Sequence, residues 1–147
     1  MYDKALRSAA NMLARREHSV FELTRKLQQR DFPADVIDKV IATLIADRLL
    51  SNERYAESYV RMRSNRGYGP VRIRMEMQER GVEEALIETY LDGAEIDWFG
   101  VAREVRVRKF GEGLPEAFEQ RAKQMRFLQY RGFTQAHLNA ALKGLDD

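Results

Sequence analysis

The chain has 147 residues, 44% of them apolar and 33% charged, which is enough for one ordinary domain or a few small helical units sharing a core. It contains no cysteine, which excludes disulfides and thiolate metal sites and fits a cytoplasmic location, and no apolar run approaches the roughly eighteen residues of a membrane span. A net charge of +2 is too small to announce a nucleic-acid binder, so the placement of charge is more informative than its total.

Taken in order, the chain reads as helix throughout, with nine glycines and three prolines as its interruptions. Met1-Tyr2-Asp3-Lys4 opens a charged amphipathic segment that lacks the apolar stretch of a secretory signal. Leu6, Ala9, Ala10 and Leu13 then recur at helical spacing. Ser19 with Glu22 forms a capping box that starts a second helix, with Leu23 and Leu27 inward. Beyond Phe32-Pro33, a third helix carries Val36, Ile37, Val40, Ile41, Leu44 and Ile45 on one face.

A new set begins near Asn52, with Tyr55, Ala56, Tyr59 and Val60 inward. It breaks at Gly67-Tyr68-Gly69 and restarts with Pro70 at the first helical position, where the missing N–H costs nothing. Ile73 and Met77 face the core there, and Leu86 and Tyr90 do so in the helix that follows. Asp97 is placed to cap the last set, whose first helix has Trp98, Val101, Ala102 and Val105 as its stripe. A turn around Gly111-Glu112-Gly113 leads to Pro115 and a helix through Phe127 and Leu128. Thr134 then caps a final helix that buries Leu138 and Leu142.

These elements repeat. Arg30-Asp31-Phe32, Arg80-Gly81-Val82 and Arg131-Gly132-Phe133 recur at a period of about fifty. Each has an aliphatic seven residues on (Ile37, Ile87, Leu138) and an apolar residue three before the arginine (Leu27, Met77, Leu128). The pattern predicts a left-handed turn between two helices, with Asp31 standing where glycine serves in the other copies. The fold expected is all-α, with three tandem three-helix, helix-turn-helix-like repeats at 1–50, 51–95 and 96–147.

A search for chemistry yields little. No glycine-rich phosphate loop is present, and the two histidines lie too far apart in sequence to suggest a shared metal site. His18 and Glu22 have helical metal-pair spacing, but His18 precedes the cap and a third ligand is missing. No metal, cofactor or catalytic residue is expected, and the chain does not read as an enzyme. Charge is concentrated instead: Arg61, Arg63, Arg66, Arg72 and Arg74 flank Tyr68 with no acid from 61 to 74, while Glu83 to Glu95 is acidic without a base. Guanidinium forks suit phosphate or carboxylate, and a glycine-flanked tyrosine can stack on a base. The same residues also suit a self-neutralised surface in which Arg72 pairs with Glu76 and Tyr68 plugs a gap between modules. Arg15 and Arg16, and the run containing Arg103 and Arg106, are weaker basic sets.

Arg15-Arg16-Glu17-His18-Ser19, Arg54-Tyr55-Ala56-Glu57-Ser58-Tyr59 and Arg66-Gly67-Tyr68-Gly69-Pro70 with Arg72, Arg74 and Glu76 closely resemble the RecX family. The resemblance spans roughly residues 4 to 143 and is most specific in its centre. Asp31 departs from the family's turn glycine, Ser51-Asn52 stands where acidic residues are common, and the N-terminal extension of some relatives is expected to be short or absent. The resemblance implies three repeats in an elongated, curved arrangement and a protein that binds the filament of RecA recombinase on single-stranded DNA; weak direct DNA binding and a monomeric state are further expectations. That binding would restrain filament growth, strand exchange, ATP hydrolysis and SOS repressor cleavage. The alternative is a helix-turn-helix-like DNA-binding regulator that acts without RecA, although the basic helices offer few Asn or Gln for reading bases. Replacing Arg66, Arg72 and Arg74 with alanine is expected to weaken filament inhibition and leave thermal unfolding nearly unchanged.

Overall fold

The computed structural model describes residues 1–143, and the last four residues of the third sequence repeat lie outside that range. Among the described residues the structure is helical with no strand. Its helices are α1 (Tyr2–Arg15), α2 (Val20–Gln29), α3 (Ala34–Ala46), α4 (Asn52–Asn65), α5 (Pro70–Glu79), α6 (Glu84–Ile87), α7 (Trp98–Phe110), α8 (Phe118–Tyr130) and α9 (Gln135–Lys143). A π-helical turn, Glu88–Asp92, extends α6. No helix among the described residues is long and apolar enough to cross a membrane.

The repeat turns close in one way. The amides of Phe32, Val82 and Phe133 reach back to the carbonyls of Leu27, Met77 and Leu128, and those of Asp31, Gly81 and Gly132 to Gln28, Gln78 and Gln129. This paired closure needs a left-handed residue after the helix end. Asp31, Gly81 and Gly132 supply it at φ 65°, 74° and 100°. The alignment of Leu27, Met77 and Leu128 is thus an alignment of hydrogen-bond acceptors as well as of buried side chains.

Capping follows the sequence closely. Ser19 accepts from the Glu22 amide while the Glu22 carboxylate accepts from the Ser19 amide, completing the capping box. Asp97 accepts from the Gly100 amide at 3.1 Å, and Thr134 from the His137 amide at 3.3 Å.

The chain divides into two compact units that do not follow the repeat boundaries. The first comprises Met1–Tyr59 with Met77–Asp92, and the second Val60–Glu76 with the described residues from Gly93 to Lys143. In the first unit, Ala5, Ala9 and Met12 of α1 pack with Leu23, Leu27, Ile37, Val40, Leu44 and Leu50. Two inward assignments fail there: Ala10 is exposed because the face of α1 centres on Ala5 and Ala9, and Ile45 is 49% exposed at the outer edge of the α3 stripe. The Ser19 hydroxyl also donates to the Arg80 carbonyl at 2.7 Å, so the cap of α2 binds the second repeat turn. In α6, Ile87 and Leu91 are the buried residues, whereas Leu86 and Tyr90 are only half-buried; the π-helical turn carries Leu91 inward and Tyr90 aside.

In the second unit, Ala102, Leu128, Phe133, Leu138 and Ala141 form the core, flanked by Trp98, Val101 and Val105. Two turns meet main chain to main chain: the Gly69 amide donates to the Arg131 carbonyl at 2.8 Å, and the Val71 amide to the Gly132 carbonyl at 2.9 Å. Side chains are excluded at this contact. A Cβ on Gly132 would lie 2.6 Å from the Arg72 nitrogen, and one on Gly69 2.6 Å from the Phe133 nitrogen. Gly132 is therefore set by a close approach as well as by turn geometry, and Gly69 by the close approach alone.

Candidate functional site

The arginine-rich corner between α4 and α5 lies in the second unit. Its helices are delimited by their own residues. Gly67, at φ 85°, ends α4 as the Tyr68 amide reaches the Arg63 carbonyl at 3.1 Å, and Pro70 opens α5. Tyr68 stands in the short corner so formed, with its ring half-buried. Three guanidiniums lie over that ring, those of Arg63 at 3.7 Å, Arg131 at 4.5 Å and Arg72 at 4.7 Å from its centroid. The tyrosine is thus packed beneath cations and does not stand free.

Glu76 holds the corner together. Arg63 grips its carboxylate with two bonds of 2.9 Å, and the Arg72 Nε donates to it at 3.2 Å. Glu76 is only 9% exposed, so these are partly desolvated, fork-like contacts of the stronger kind. Burial disfavours the charged form of Arg72, but the Glu76 hydrogen bond and charge outweigh it and raise the guanidinium pKa. Arg72 also donates to the Tyr130 carbonyl at 3.3 Å and lies 5.0 Å from the Tyr130 ring. Arg131 donates to the Arg66 carbonyl at 3.2 Å and sits 5.3 Å from the Phe127 ring.

The arginines picked out by sequence therefore differ in what holds them. Arg63 and Arg72 are braced by Glu76, so their replacement should cost stability, which argues against the expectation that unfolding is indifferent to Arg72. Arg61, Arg66 and Arg103 are exposed and Arg74 is half-buried. Arg106 is the clearest correction: it is 2% exposed and does not present its charge to a partner. Its guanidinium donates to the carbonyls of Gly111, Glu112 and Gly113 and to Gln124, fastening the loop after α7. Its Nε has no partner, and burial lowers its pKa. Spacing could not separate Arg106 from Arg103, because only the packing of α7 decides which of the two faces the loop.

Arg15 and Arg16 lie in the first unit, both exposed, with Arg16 paired to Glu22 through bonds of 3.1 and 3.0 Å. Burial raises the Glu22 carboxyl, but the Arg16 bonds and the Ser19 amide outweigh it and hold the group below its ordinary value. His18 and Glu22 turn to different partners: the His18 Nε2 lies 2.8 Å from the Lys26 ammonium and its Nδ1 3.1 Å from the Arg16 carbonyl. No group of three or more potential metal ligands occurs among the described residues.

Sequence reasoning missed Arg131 and Phe127 as members of this corner. The signal for Arg131 was the repeat itself, because a second turn arginine, Arg80, lies 5.1 Å over the Tyr59 ring in the first unit. Nothing local marks Phe127, which reads simply as a core residue of α8.

Comparison with known proteins agrees across the chain. Family models described as the first, second and third three-helix domains of RecX match residues 5–44, 51–91 and 95–142. A protein named regulatory protein RecX from Pseudomonas entomophila (strain L48) is 46% identical over 140 residues, covering 95% of this chain and 90% of its own length. Its counterpart from Halorhodospira halophila (strain DSM 244 / SL1) is 43% identical over 145 residues, covering 98% and 90%. The crystal structure of RecX from Lactobacillus salivarius superposes with a TM-score of 0.78 at 23% identity, covering 99% of this chain and 96% of that one, a likeness of fold.

Proposed function

The chain belongs to the RecX family of regulatory proteins, and from that premise we propose that it is a non-enzymatic regulator of the RecA filament on single-stranded DNA. Bound there, it restrains filament growth, and with it strand exchange, ATP hydrolysis and the cleavage of the SOS repressor. The observation that carries this reading is the arginine corner. Exposed Arg61 and Arg66 flank a Tyr68 already fixed by Arg63, Arg72, Arg131 and Glu76. A surface whose supporting side chains are already ordered loses less entropy on docking to a charged partner. Arg74 of the same segment, Arg103, and Arg15 and Arg16 of the first unit are further contact candidates.

Filament assembly supplies the test. Light scattering of RecA growing on single-stranded DNA should reach a lower plateau when this protein is present at a small fraction of the RecA concentration. The effect should weaken as salt rises, because screening shortens the reach of exposed charge. Growth that is unaffected at low salt removes the proposal.

A further inference from the structure

Beside the Tyr68 corner, and wholly within the second unit, lies a cleft of about 420 Å³, within the roughly 300–1,000 Å³ typical of small-ligand sites. Gly67, Val105 and Phe127 give it an apolar lining. Arg66, Arg108, Lys109 and Arg131 supply four cations, against the single carboxylate of Glu104. That carboxylate pairs with Arg108 at 3.0 Å, but both side chains are mostly exposed, so the pair is weak and Arg108 is easily recruited elsewhere.

The charge and the lining together narrow the ligand. An acidic peptide would use the cations and leave the aromatic lining idle. A duplex keeps its bases stacked and cannot insert one here without unpairing it. An unstacked base has a flat apolar face next to an anionic phosphate, and the cleft joins the matching parts. Phe127 and the Arg131 guanidinium are the two kinds of surface on which such bases settle. Arg131 and Lys109 already lie 5.3 and 5.6 Å from the Phe127 ring centroid, and the Phe110 ring meets it edge to face at 5.4 Å, so the Lys109 position is the one a base would take. Lys109 is exposed and can swing out to a phosphate while a base takes its place.

We infer that this cleft is a single-nucleotide pocket for single-stranded DNA: one base enters against Phe127 and Arg131, and its phosphates lie on Arg66, Arg108 and Lys109. It needs no recombinase, so its success or failure is separate from that of the filament reading.

The probe is a short fluorescent oligothymidylate, titrated with the full chain and no RecA present, alongside a strand of the same length made of abasic sites. The abasic strand should bind roughly tenfold more weakly, because it keeps the phosphates and loses the stacked base. Phe127→Leu should lower oligothymidylate affinity by a similar roughly tenfold and leave abasic binding unchanged. Arg108→Gln with Lys109→Gln should reduce the slope of log affinity against log salt by about 1.4, at about 0.7 per phosphate contact. Circular dichroism checks that the variants fold; if Phe127→Leu does not, the abasic comparison and the double glutamine variant still decide. Equal binding of the two strands overturns the pocket. So does competition by polyglutamate as strong as that by unlabelled oligothymidylate, which would make the cleft an acidic-peptide site. Free thymidine monophosphate competing as well as the strand would overturn it too, in favour of a soluble nucleotide.

Discussion

Gly132→Ala tests the main-chain contact that shapes the arginine corner. Two costs add at this position. A φ of 100° lies where an L side chain pays about 1–2 kcal/mol. The new Cβ would also stand 2.6 Å from the Arg72 nitrogen, which is backbone and cannot rotate away. Relief requires the two turns to separate. The bonds from Gly69 to Arg131 and from Val71 to Gly132, at 2.8 and 2.9 Å, would then weaken or break. At about 1 kcal/mol each, the expected total is about 3–4 kcal/mol. The conformational cost alone, about 1–2 kcal/mol, is the reference against which the close approach is judged. Urea unfolding followed by circular dichroism gives the total, and amide exchange at Gly69 and Val71 should accelerate in Gly132→Ala. If Gly132→Ala costs no more than about 2 kcal/mol and exchange at Gly69 and Val71 is unchanged, the close approach does not stabilise the corner.

Three further outcomes follow from the same geometry. Arg106→Lys should destabilise the second unit by about 2–4 kcal/mol in thermal or urea unfolding, since an ammonium cannot reach the carbonyls and the Gln124 oxygen that the guanidinium spans. Nucleic-acid binding by the folded fraction should keep its salt slope. Glu76→Gln should cost about 1–3 kcal/mol by leaving the Arg63 and Arg72 guanidiniums without their counter-charge, and a double-mutant cycle with Arg63→Met should show coupling rather than additivity. Burial lowers the His18 pKa from its ordinary 6.5, so the unfolded chain takes up the proton more readily than the folded one. The stability from neutral His18 is full above pH 6.5 and is lost as pH falls toward the lower folded value. His18→Gln should flatten part of that acid-side slope in unfolding measurements, with His137, shifted in the same direction, accounting for another part.

Much of the fold was legible because repeat, turn and cap are local chemistry. Ser19 with Glu22, Asp97, Thr134 and Pro70 act where their spacing places them. The three arginine turns close through the residues that the period aligns. What spacing missed came from phase and from long-range packing. Ile45 and Ala10 sit one position off the buried stripe, and the π-helical turn shifts α6 so that Leu91 is buried in place of Tyr90. The corner was half legible: its arginines and tyrosine lie together in sequence, and the Arg72–Glu76 pair is one turn apart. Arg131 and Phe127 reach it from more than fifty residues away, and Arg106 is withdrawn by a loop that follows it. None of those three facts is written in a window of adjacent residues.

The most direct test of the functional reading is the steady rate of RecA ATP hydrolysis on single-stranded DNA, measured as this protein is added well below the RecA concentration. The account predicts progressive inhibition, weaker at high salt and weaker again when Arg61 and Arg66 are replaced by glutamine in a chain that still unfolds normally. An unchanged rate across the titration, together with tight binding to a particular duplex in the absence of RecA, would contradict it.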